Sequence, residues 1–372
     1  MTKHLKMAAP KFVETDVNEL LKIAVADYES RTGFTLSEAS VESQILNTVA
    51  YLLYVYNAGV QYACEQMLVE YAVAPALDEL GKIVGVTRLP ASPATTTIRF
   101  NMASGHTGVI IPIGTRVRST DGKVTFSTSS ESIVSAGTDT VDIVAAATET
   151  GTIGNGYSSG TITSILDPQA FIDSASNITA TSGGGDLETD DSLRQRIKAA
   201  PSSFSTAGSR EAYEFYAKSA SSSIIDVAVR QITPGTVGVY PLVPGGNTSQ
   251  EVLNLVTNAL NADRVRPETD TVSVLAPAIT SYSIDISVVT LDDAVANDVV
   301  NQVTTNINAF VAANESTLGN DVMISQLIAA AASVEGVYNV TINSPVANIV
   351  IPFNGIAVNN SVVVTATGTN EG

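Results

Sequence analysis

Residues 41–67 read VESQILNTVAYLLYVYNAGVQYACEQM, and this stretch decides how the start of the chain folds. Its apolar side chains recur every three or four residues, the spacing that places them on one face of an α-helix. We expect a helix that opens at Ser37 or Ser40 and runs toward Tyr71, with a length of roughly 50 Å. A shorter helix capped by Asp16 and broken at Gly33 is expected before it.

The apolar stripe of this long helix has two interpretations. A long helix with a narrow apolar seam commonly packs against a helix of another chain, but it can also lie in the core of its own domain. Both interpretations stay open at this point. The candidate interface residues on the stripe are Ile45, Val49, Leu52, Tyr56, Val60 and Met67.

The residue composition changes after Pro90, where short β-branched segments alternate with glycine and proline. Asp121-Gly122 predicts a hairpin with a type I′ turn, in which both central residues have positive φ. These features indicate an all-β module, either a sandwich or a partly open barrel.

The second half of the chain mixes helices and strands. Ser281 to Val289 alternates apolar and polar residues, which predicts a strand with one buried face and one solvated face. The predicted fold class is α+β and multidomain, with an N-terminal helical bundle segment, a central all-β module and a C-terminal mixed α/β region. The predicted bounds are an N-terminal helical region at 1–88, a β module at 89–176, an α/β middle region at 177–280 and a C-terminal α/β module at 281–372.

Composition limits the possible partners. The 372 residues include 37 acidic and 19 basic side chains, for a net charge of −18. A chain this acidic repels nucleic acid and anionic membrane surfaces, so we expect neither as a partner. Only 15% of the residues are charged, against about 25% in an average protein. This favours a surface that is largely buried against partners, although a Ser/Thr-rich β protein would look similar.

Two further features of the sequence suggest the compartment. Cys64 is the single cysteine, so the chain cannot form an internal disulfide, and we expect a reducing environment such as a bacterial cytoplasm. Residues 1–10 lack the apolar segment of a secretory signal, so none is expected.

The sequence offers little material for catalysis. His4 and His106 are the only histidines, which leaves too few ligands for a zinc site and a poor basis for a catalytic triad. The acidic cluster Asp186, Glu188, Asp190 and Asp191 lies at a predicted helix start. Helix capping explains the cluster, while a bound cation is the alternative. We predict no catalytic, metal-binding or cofactor-binding residues.

Several motifs, taken in order, resemble the baseplate J-like family of contractile phage tails. They begin with the helical region that ends in Leu77-Asp78-Glu79-Leu80-Gly81. The motifs that follow are Gly85-Val86-Thr87-Arg88-Leu89-Pro90, Ile111-Pro112-Ile113-Gly114-Thr115, Gly151-Thr152-Ile153-Gly154-Asn155, the stretch from Gly183-Gly184-Gly185-Asp186 to Arg196-Ile197, Pro234-Gly235-Thr236-Val237 and Arg266-Pro267-Glu268-Thr269-Asp270.

This resemblance implies a non-enzymatic baseplate wedge subunit that rings the central hub and transmits the change that triggers sheath contraction. The implied partners are a second copy of the chain, a second wedge protein that bundles with the N-terminal helices, and a sheath-initiating, lysozyme-like wedge protein. The implied location is the virion tail baseplate, after assembly in the host cytoplasm. The alternatives are a carbohydrate-binding or depolymerising tail protein and a surface adhesin. The absence of tryptophan argues against the first, and the expected lack of a signal peptide argues against the second.

Overall fold

A computed structural model describes residues 8–204, 209–262, 265 and 270–371. Contacts divide the chain into two compact units. The first contains the residues up to Arg88 together with Thr189–Lys198, and the second contains Leu89–Glu188 and the residues from Ala199 onward. Residues 266–269 of the predicted motif Arg266-Pro267-Glu268-Thr269-Asp270, and His4, lie outside the described residues.

Helices make up the first unit. They are α1 (Val17–Thr32), α2 (Val41–Glu65), α3 (Ala76–Ile83) and α4 (Asp190–Ala199, of which the residues up to Lys198 belong here). The Asp16 carboxylate accepts hydrogen bonds from the first turn of α1, and Gly33 ends that helix in the left-handed conformation, as predicted. Ser40, and not Ser37, caps α2 through its hydroxyl.

Helix α2 is shorter than the sequence spacing predicted. It ends at Glu65, which gives a length of about 37 Å. The amides of Met67 and Leu68 donate to the carbonyls three residues earlier, which is the tighter 3₁₀ pattern, and the α-helix therefore ends. The Gln66 side chain then accepts the amide of Val73 at 2.9 Å, so the chain turns and does not extend to Tyr71.

The second unit begins with a β module. Six strands, in the order β7-β3-β4-β6-β1-β8, form an antiparallel sheet whose end strands β7 and β8 lie against each other. Phe100, Phe126 and Ile98 are fully buried inside it. The arrangement is a nearly closed barrel and not a sandwich. The strands are β1 (Pro93–Met102), β2 (Val109–Ile111), β3 (Arg116–Ser119), β4 (Thr125–Thr128), β5 (Ser132–Val134), β6 (Thr140–Thr150), β7 (Ile162–Ile165) and β8 (Ile172–Asn177).

The hairpin predicted at Asp121-Gly122 is confirmed, but its turn type is wrong. It joins β3 to β4, and of the two residues only Gly122 has positive φ. The Asp121 carboxylate instead accepts hydrogen bonds from the Ser119 hydroxyl and the Lys123 amide, at 2.5 and 3.1 Å. A side chain that satisfies the turn in this way removes the need for the mirror-image conformation.

A small α/β layer follows. Strands β9 (Asp226–Thr233), β10 (Thr236–Leu242) and β11 (Thr271–Val274) form a three-stranded sheet in the order β11-β10-β9. Helices α5 (Arg210–Lys218) and α6 (Gln250–Leu260) pack against it. Tyr213, Val239 and Val256 fill the core between them.

The chain ends in a second three-stranded sheet. Strands β12 (Ala278–Leu291), β13 (Val337–Ser344) and β14 (Gly355–Asn370) lie in the order β13-β12-β14, with β12 and β14 parallel. Helices α7 (Ala296–Asn314) and α8 (Ile324–Ala332) share a core with the sheet. The alternation in β12 is confirmed, because Tyr282, Ile284 and Ile286 are buried and the residues between them are half-exposed.

The predicted fold class is confirmed: helices come first, then a β module, then a mixed α/β region. The four predicted domain bounds stay a prediction. The packing of Thr189–Lys198 in the first unit was not foreseen, because it depends on contacts with residues more than a hundred positions earlier.

Candidate interaction surface

One face of α2 packs within the first unit. Ser43 and Ala50 are the buried residues of the helix, on the side that contacts α1. Farther along, the Asn57 amide donates to the Glu14 carbonyl at 2.8 Å. Gln61 bonds the chain before α1 twice, to the Pro10 carbonyl at 2.8 Å and from the Phe12 amide at 2.9 Å. The face that α2 uses inside its own unit therefore combines these small and polar residues with the half-buried Leu46 and Tyr54.

The predicted apolar stripe lies elsewhere on α2 and is exposed to solvent. Val60 is half-buried. The exposed fractions of the other candidate residues are Ile45 57%, Val49 41%, Leu52 61%, Tyr56 69% and Met67 74%. Met67 lies beyond the end of the helix, in the turn that follows it. The stripe is therefore not part of the core among the described residues.

A second exposed apolar stripe runs along α2, and the sequence analysis missed it. Tyr51, Val55 and Tyr62 are each more than half exposed. At 3.6 residues per turn, this stripe, the predicted stripe and the face toward α1 lie roughly 120° apart. The steps of four and seven residues between Tyr51, Val55 and Tyr62 are visible in the sequence. They were missed because the predicted stripe alone already explained the helical period.

Arg194 in α4 holds the turn that follows α2. Its buried guanidinium donates to the carbonyls of Val69 and Ala72, both at 2.8 Å, and also pairs with Asp191. These two carbonyls belong to the turn that follows α2. Because the charge sits on backbone acceptors, the turn has one well-defined position.

Arg88 forms a second anchor in the same unit. Its guanidinium bonds Asp78 at 2.8 Å and Asp190 at 2.7 Å. Burial acts to raise the pKa of Asp190, but the hydrogen bonds from Arg88 and from the Ala74 amide outweigh it and hold the pKa below its usual value. Asp190 is therefore a structural anion that stays ionised at neutral pH.

Helix capping does not explain the acidic cluster as a whole, so that interpretation is corrected. The Thr189 hydroxyl, at 3.3 Å from the Ser192 amide, makes the capping contact of α4. In the second unit, Asp186 accepts the amide and hydroxyl of Thr152 at 2.9 and 3.0 Å, and the buried Glu188 accepts the Leu89 amide at 2.9 Å. These carboxylates hold distant segments of chain together.

Two glycine motifs meet in the second unit around Asn155. Its side-chain amide accepts the Gly184 amide at 2.9 Å and donates to the Gly184 carbonyl at 2.8 Å. A Cβ on Gly184 would lie 2.4 Å from the Gly151 carbonyl oxygen, which only glycine avoids. These two of the motifs that carried the family resemblance therefore form a joint between backbone segments.

Other polar features of the described residues are a buried histidine and a cavity in the second unit. The buried His106 ring bonds the Thr138 carbonyl at 3.0 Å through Nε2. A cavity of about 390 Å³ in the second unit is lined by Thr, Ser, Asn and aliphatic residues together with Gln250 and Glu251, with no aromatic ring for stacking a sugar. Within the described ranges, no group of His, Cys, Asp or Glu is arranged to hold a metal ion. None of the described helices is long and apolar enough to span a membrane.

Three family models match this chain in order. The Baseplate J-like protein barrel domain matches residues 97–184, the Baseplate J-like central domain matches 205–276, and the Baseplate J-like protein C-terminal domain matches 282–365. Together they cover more than half of the chain. The first coincides with the barrel strands, and the third with the β12–β14 sheet and its helices.

Two individual proteins are also similar. Baseplate protein J of Escherichia phage P2 is 32% identical over 167 residues, which is 44% of this chain and 55% of that protein. The alignment thus spans little more than half of the phage P2 protein. The cryo-EM structure of the anti-feeding prophage baseplate, 6-fold symmetrised, aligns over 92% of this chain and 90% of that chain, at 13% identity and a TM-score of 0.38.

Proposed function

Because the chain belongs to the baseplate J-like family, we propose that it is a structural subunit of a phage-tail baseplate. Its finer role is that of a wedge component, which assembles around the hub and transmits the conformational change that triggers contraction of the sheath. It works through the surfaces it presents to neighbours and not through a reactive pocket. It is built in the host cytoplasm and ends in the tail baseplate of the particle.

The observation that carries this proposal is the pair of exposed apolar stripes on α2. A helix that is apolar on most sides is stable only when other elements cover it. Burying one leucine side chain such as Leu52 is worth about 2 kcal/mol, so a stripe of this length offers substantial binding energy. The only charged residues of α2 are Glu42 and Glu65, at its two ends, so apolar contact dominates the association.

The three faces of α2 suggest how the helices assemble. One face holds α1, and each of the two exposed stripes has room for one further helix. A second wedge protein supplies the helix for the stripe at Val49 and Leu52. A second copy of this chain and the sheath-initiating, lysozyme-like wedge protein are the other partners, and they bind elsewhere on the subunit.

The proposed mechanism is mechanical. The wedge ring holds one set of packed interfaces until contacts with the tail fibres change, and the ring then moves to a second packing that releases the sheath. Packed interfaces respond in discrete steps and do not deform continuously, which suits such a switch. Within the helical unit, Arg194 holds the turn that follows α2 and Arg88 ties α3 to α4, so the proposed bundle has a fixed internal geometry.

The experiment is a charge placed in the middle of the stripe. Val49→Asp or Leu52→Asp would bury a carboxylate in the interface, and we expect binding of the second wedge protein to weaken at least ~100-fold. Complementation of a deletion, followed by electron microscopy of tails, measures assembly. Pull-down of the second wedge protein measures the contact directly.

The matched control is Asn301→Asp, which adds the same charge to an exposed position of α7. Circular dichroism checks that each variant folds. We expect both stripe variants to fold, because Val49 and Leu52 are exposed in the chain alone. Normal tails and normal pull-down with Leu52→Asp would rule out the bundling role.

A further inference from the structure

We propose that a groove at the start of α7 binds a segment of another tail protein that carries a lysine or arginine beside an apolar residue. The inference rests on the proposed function, because it takes the partner from the same baseplate. It adds a contact surface in the second unit that is separate from the stripes on α2.

The groove lies where β12 leads into α7 and where α8 leads into β13. Its volume is about 500 Å³. Val299 and Val334 line it and are buried, and Val295 lines it and is 64% exposed. The floor of the groove therefore offers aliphatic surface to the stem of a bound side chain.

Three carboxylates also line the groove. Asp293 and Asp298 belong to the start of α7, and Glu335 belongs to the turn after α8. All three residues are exposed, and in the part of the chain that the structure describes none of them has a hydrogen-bonding side-chain partner or an ion-pair partner. A groove lined by charges of one sign concentrates counter-charges, so this groove attracts a cation.

The helix ends near the groove do not remove this attraction. The N-terminus of α7 carries roughly half a positive charge, and the C-terminus of α8, at Ala332, carries roughly half a negative charge. These two contributions oppose each other. The sign of the groove is therefore set by the three carboxylates.

The walls of the groove are fixed within the subunit. The amide of Leu291 donates to the Gly336 carbonyl at 2.9 Å. Gly336 has a φ of 88°, and a Cβ at this position would lie 2.8 Å from the Cβ of Ala294. The turn after α8 thus packs directly against the start of α7. A groove that exists before binding costs little ordering when a partner enters it.

Val295 is an unusual residue for the place it occupies. It is the N-cap of α7 and makes no side-chain hydrogen bond to the helix. Serine, threonine, aspartate or asparagine at an N-cap accepts a helix amide and stabilises the helix by accepting it. A mostly exposed valine gives up this stabilisation, and apolar contact with a partner offsets the loss.

The occupant that matches both floor and rim is a long basic side chain. Lysine and arginine lay their aliphatic stems on apolar surface and keep the charged end among polar groups. A metal ion fits less well, because within the described ranges no group of His, Cys, Asp or Glu is arranged to hold one. A second copy of this chain also fits poorly, since its 37 acidic residues outnumber its 19 basic residues and its net charge of −18 opposes the groove. The partner is therefore a different protein.

The first experiment is photo-crosslinking in assembled tails. The photoreactive amino acid p-benzoylphenylalanine replaces Val295 in the full chain, purified tails are irradiated, and mass spectrometry identifies the attached peptide. We expect a peptide of another tail protein with a lysine or arginine within about three residues of the attachment point, the reach of such a side chain along an extended segment.

The second experiment measures how binding depends on charge. The crosslinked segment is made as a synthetic peptide and titrated against the full chain. Asp298→Asn with Glu335→Gln removes two ion pairs, and we expect the Kd to rise about 5-fold. The matched control is Glu131→Gln with Asp139→Asn, which removes the same charge from exposed positions of the barrel and should leave the Kd unchanged.

A charge exchange makes the test specific. Asp298→Lys should weaken binding of the natural peptide further, and a peptide with glutamate in place of its basic residue should bind this variant better than it binds the wild type. A variant that fails to fold cannot give this rescue, so the exchange separates unfolding from loss of binding.

The outcomes distinguish this inference from the proposed function. Mass spectrometry of the purified tails is read first, and a chain that is absent from them contradicts the proposed function and this inference together. A chain that is present but gives no crosslink at position 295 overturns the inference alone. A crosslink to a second copy of this chain, or to a segment without a basic residue, overturns it as well.

Discussion

Replacing Arg194 by methionine gives the sharpest test of how the helical unit is held together. Methionine has similar length and fills the same space, but it cannot donate hydrogen bonds. The carbonyls of Val69 and Ala72 would then lose the donors that now lie 2.8 Å away. A buried acceptor left without its partner costs about 1–3 kcal/mol, so we expect a loss of about 3 kcal/mol in the stability of this unit.

Hydrogen exchange measures this loss locally. A chain with several cores does not unfold in one step, so a single melting curve would not assign the change to a unit. We expect amides in α4 and in the turn after α2 to exchange about a hundredfold faster in Arg194→Met, as about 3 kcal/mol requires. Amides of β12 serve as an internal reference and should be unaffected.

The control is an arginine on the surface of the barrel. Arg99 pairs with Asp142 at 2.7 Å, but both side chains are well exposed. Exposed ion pairs contribute about 0–1 kcal/mol, so Arg99→Met should change exchange in the barrel by only a few-fold. If Arg194→Met had an equally small effect, the buried guanidinium would not be what fixes the turn after α2.

Three further predictions concern the joints and the exposed stripes. Asn155→Ala removes both hydrogen bonds to Gly184 and should destabilise the barrel by about 2 kcal/mol, measured by hydrogen exchange of the barrel amides. Gly184→Ala forces a backbone clash and should cost more, so equal stabilities would contradict the geometry. The pKa of Asp190 is lowered in the folded state, so its stabilising contribution is present above its usual value of 3.8 and is lost as pH falls through the folded pKa. Hydrogen exchange of the α4 amides, corrected for the intrinsic effect of pH, should show this loss in the wild type and a smaller one in Asp190→Asn, and an equal pH dependence in both would refute it. Because apolar contact dominates on α2, its complex with the second wedge protein should survive about 1 M salt in a pull-down, while elution by salt would indicate charge pairing.

The existence of α2 followed from local information, but its surroundings did not. The apolar period and the hydroxyl of Ser40 are features of neighbouring residues, and they predicted a capped helix. The same period serves equally well for a core helix and for a helix that binds another chain. Only the three-dimensional packing shows that Leu52 and Tyr56 are exposed while Ala50 is buried.

Long-range pairs account for what the sequence could not predict. Capping was the natural local explanation for the acidic residues around the start of α4, but Asp190 pairs with Arg88, 102 positions away. The parallel pairing of β14 with β12 likewise joins strands separated by two helices and β13. The alternation within β12 was local and was predicted. The extent of α2 was missed because the bonds that end it form in the turn beyond Glu65.

Accessibility of the α2 stripe in assembled tails tests the central claim most directly. A cysteine is placed at Leu52 in a Cys64→Ser background, and its labelling by a maleimide is timed in the purified chain and in tails that contain it. A cysteine at Lys22, on the exposed side of α1, is the control. We expect position 52 to label rapidly in the chain alone and at least ~10-fold more slowly in tails, with little change at position 22. Equal labelling rates at position 52 in both states would contradict the claim that this stripe is an interface.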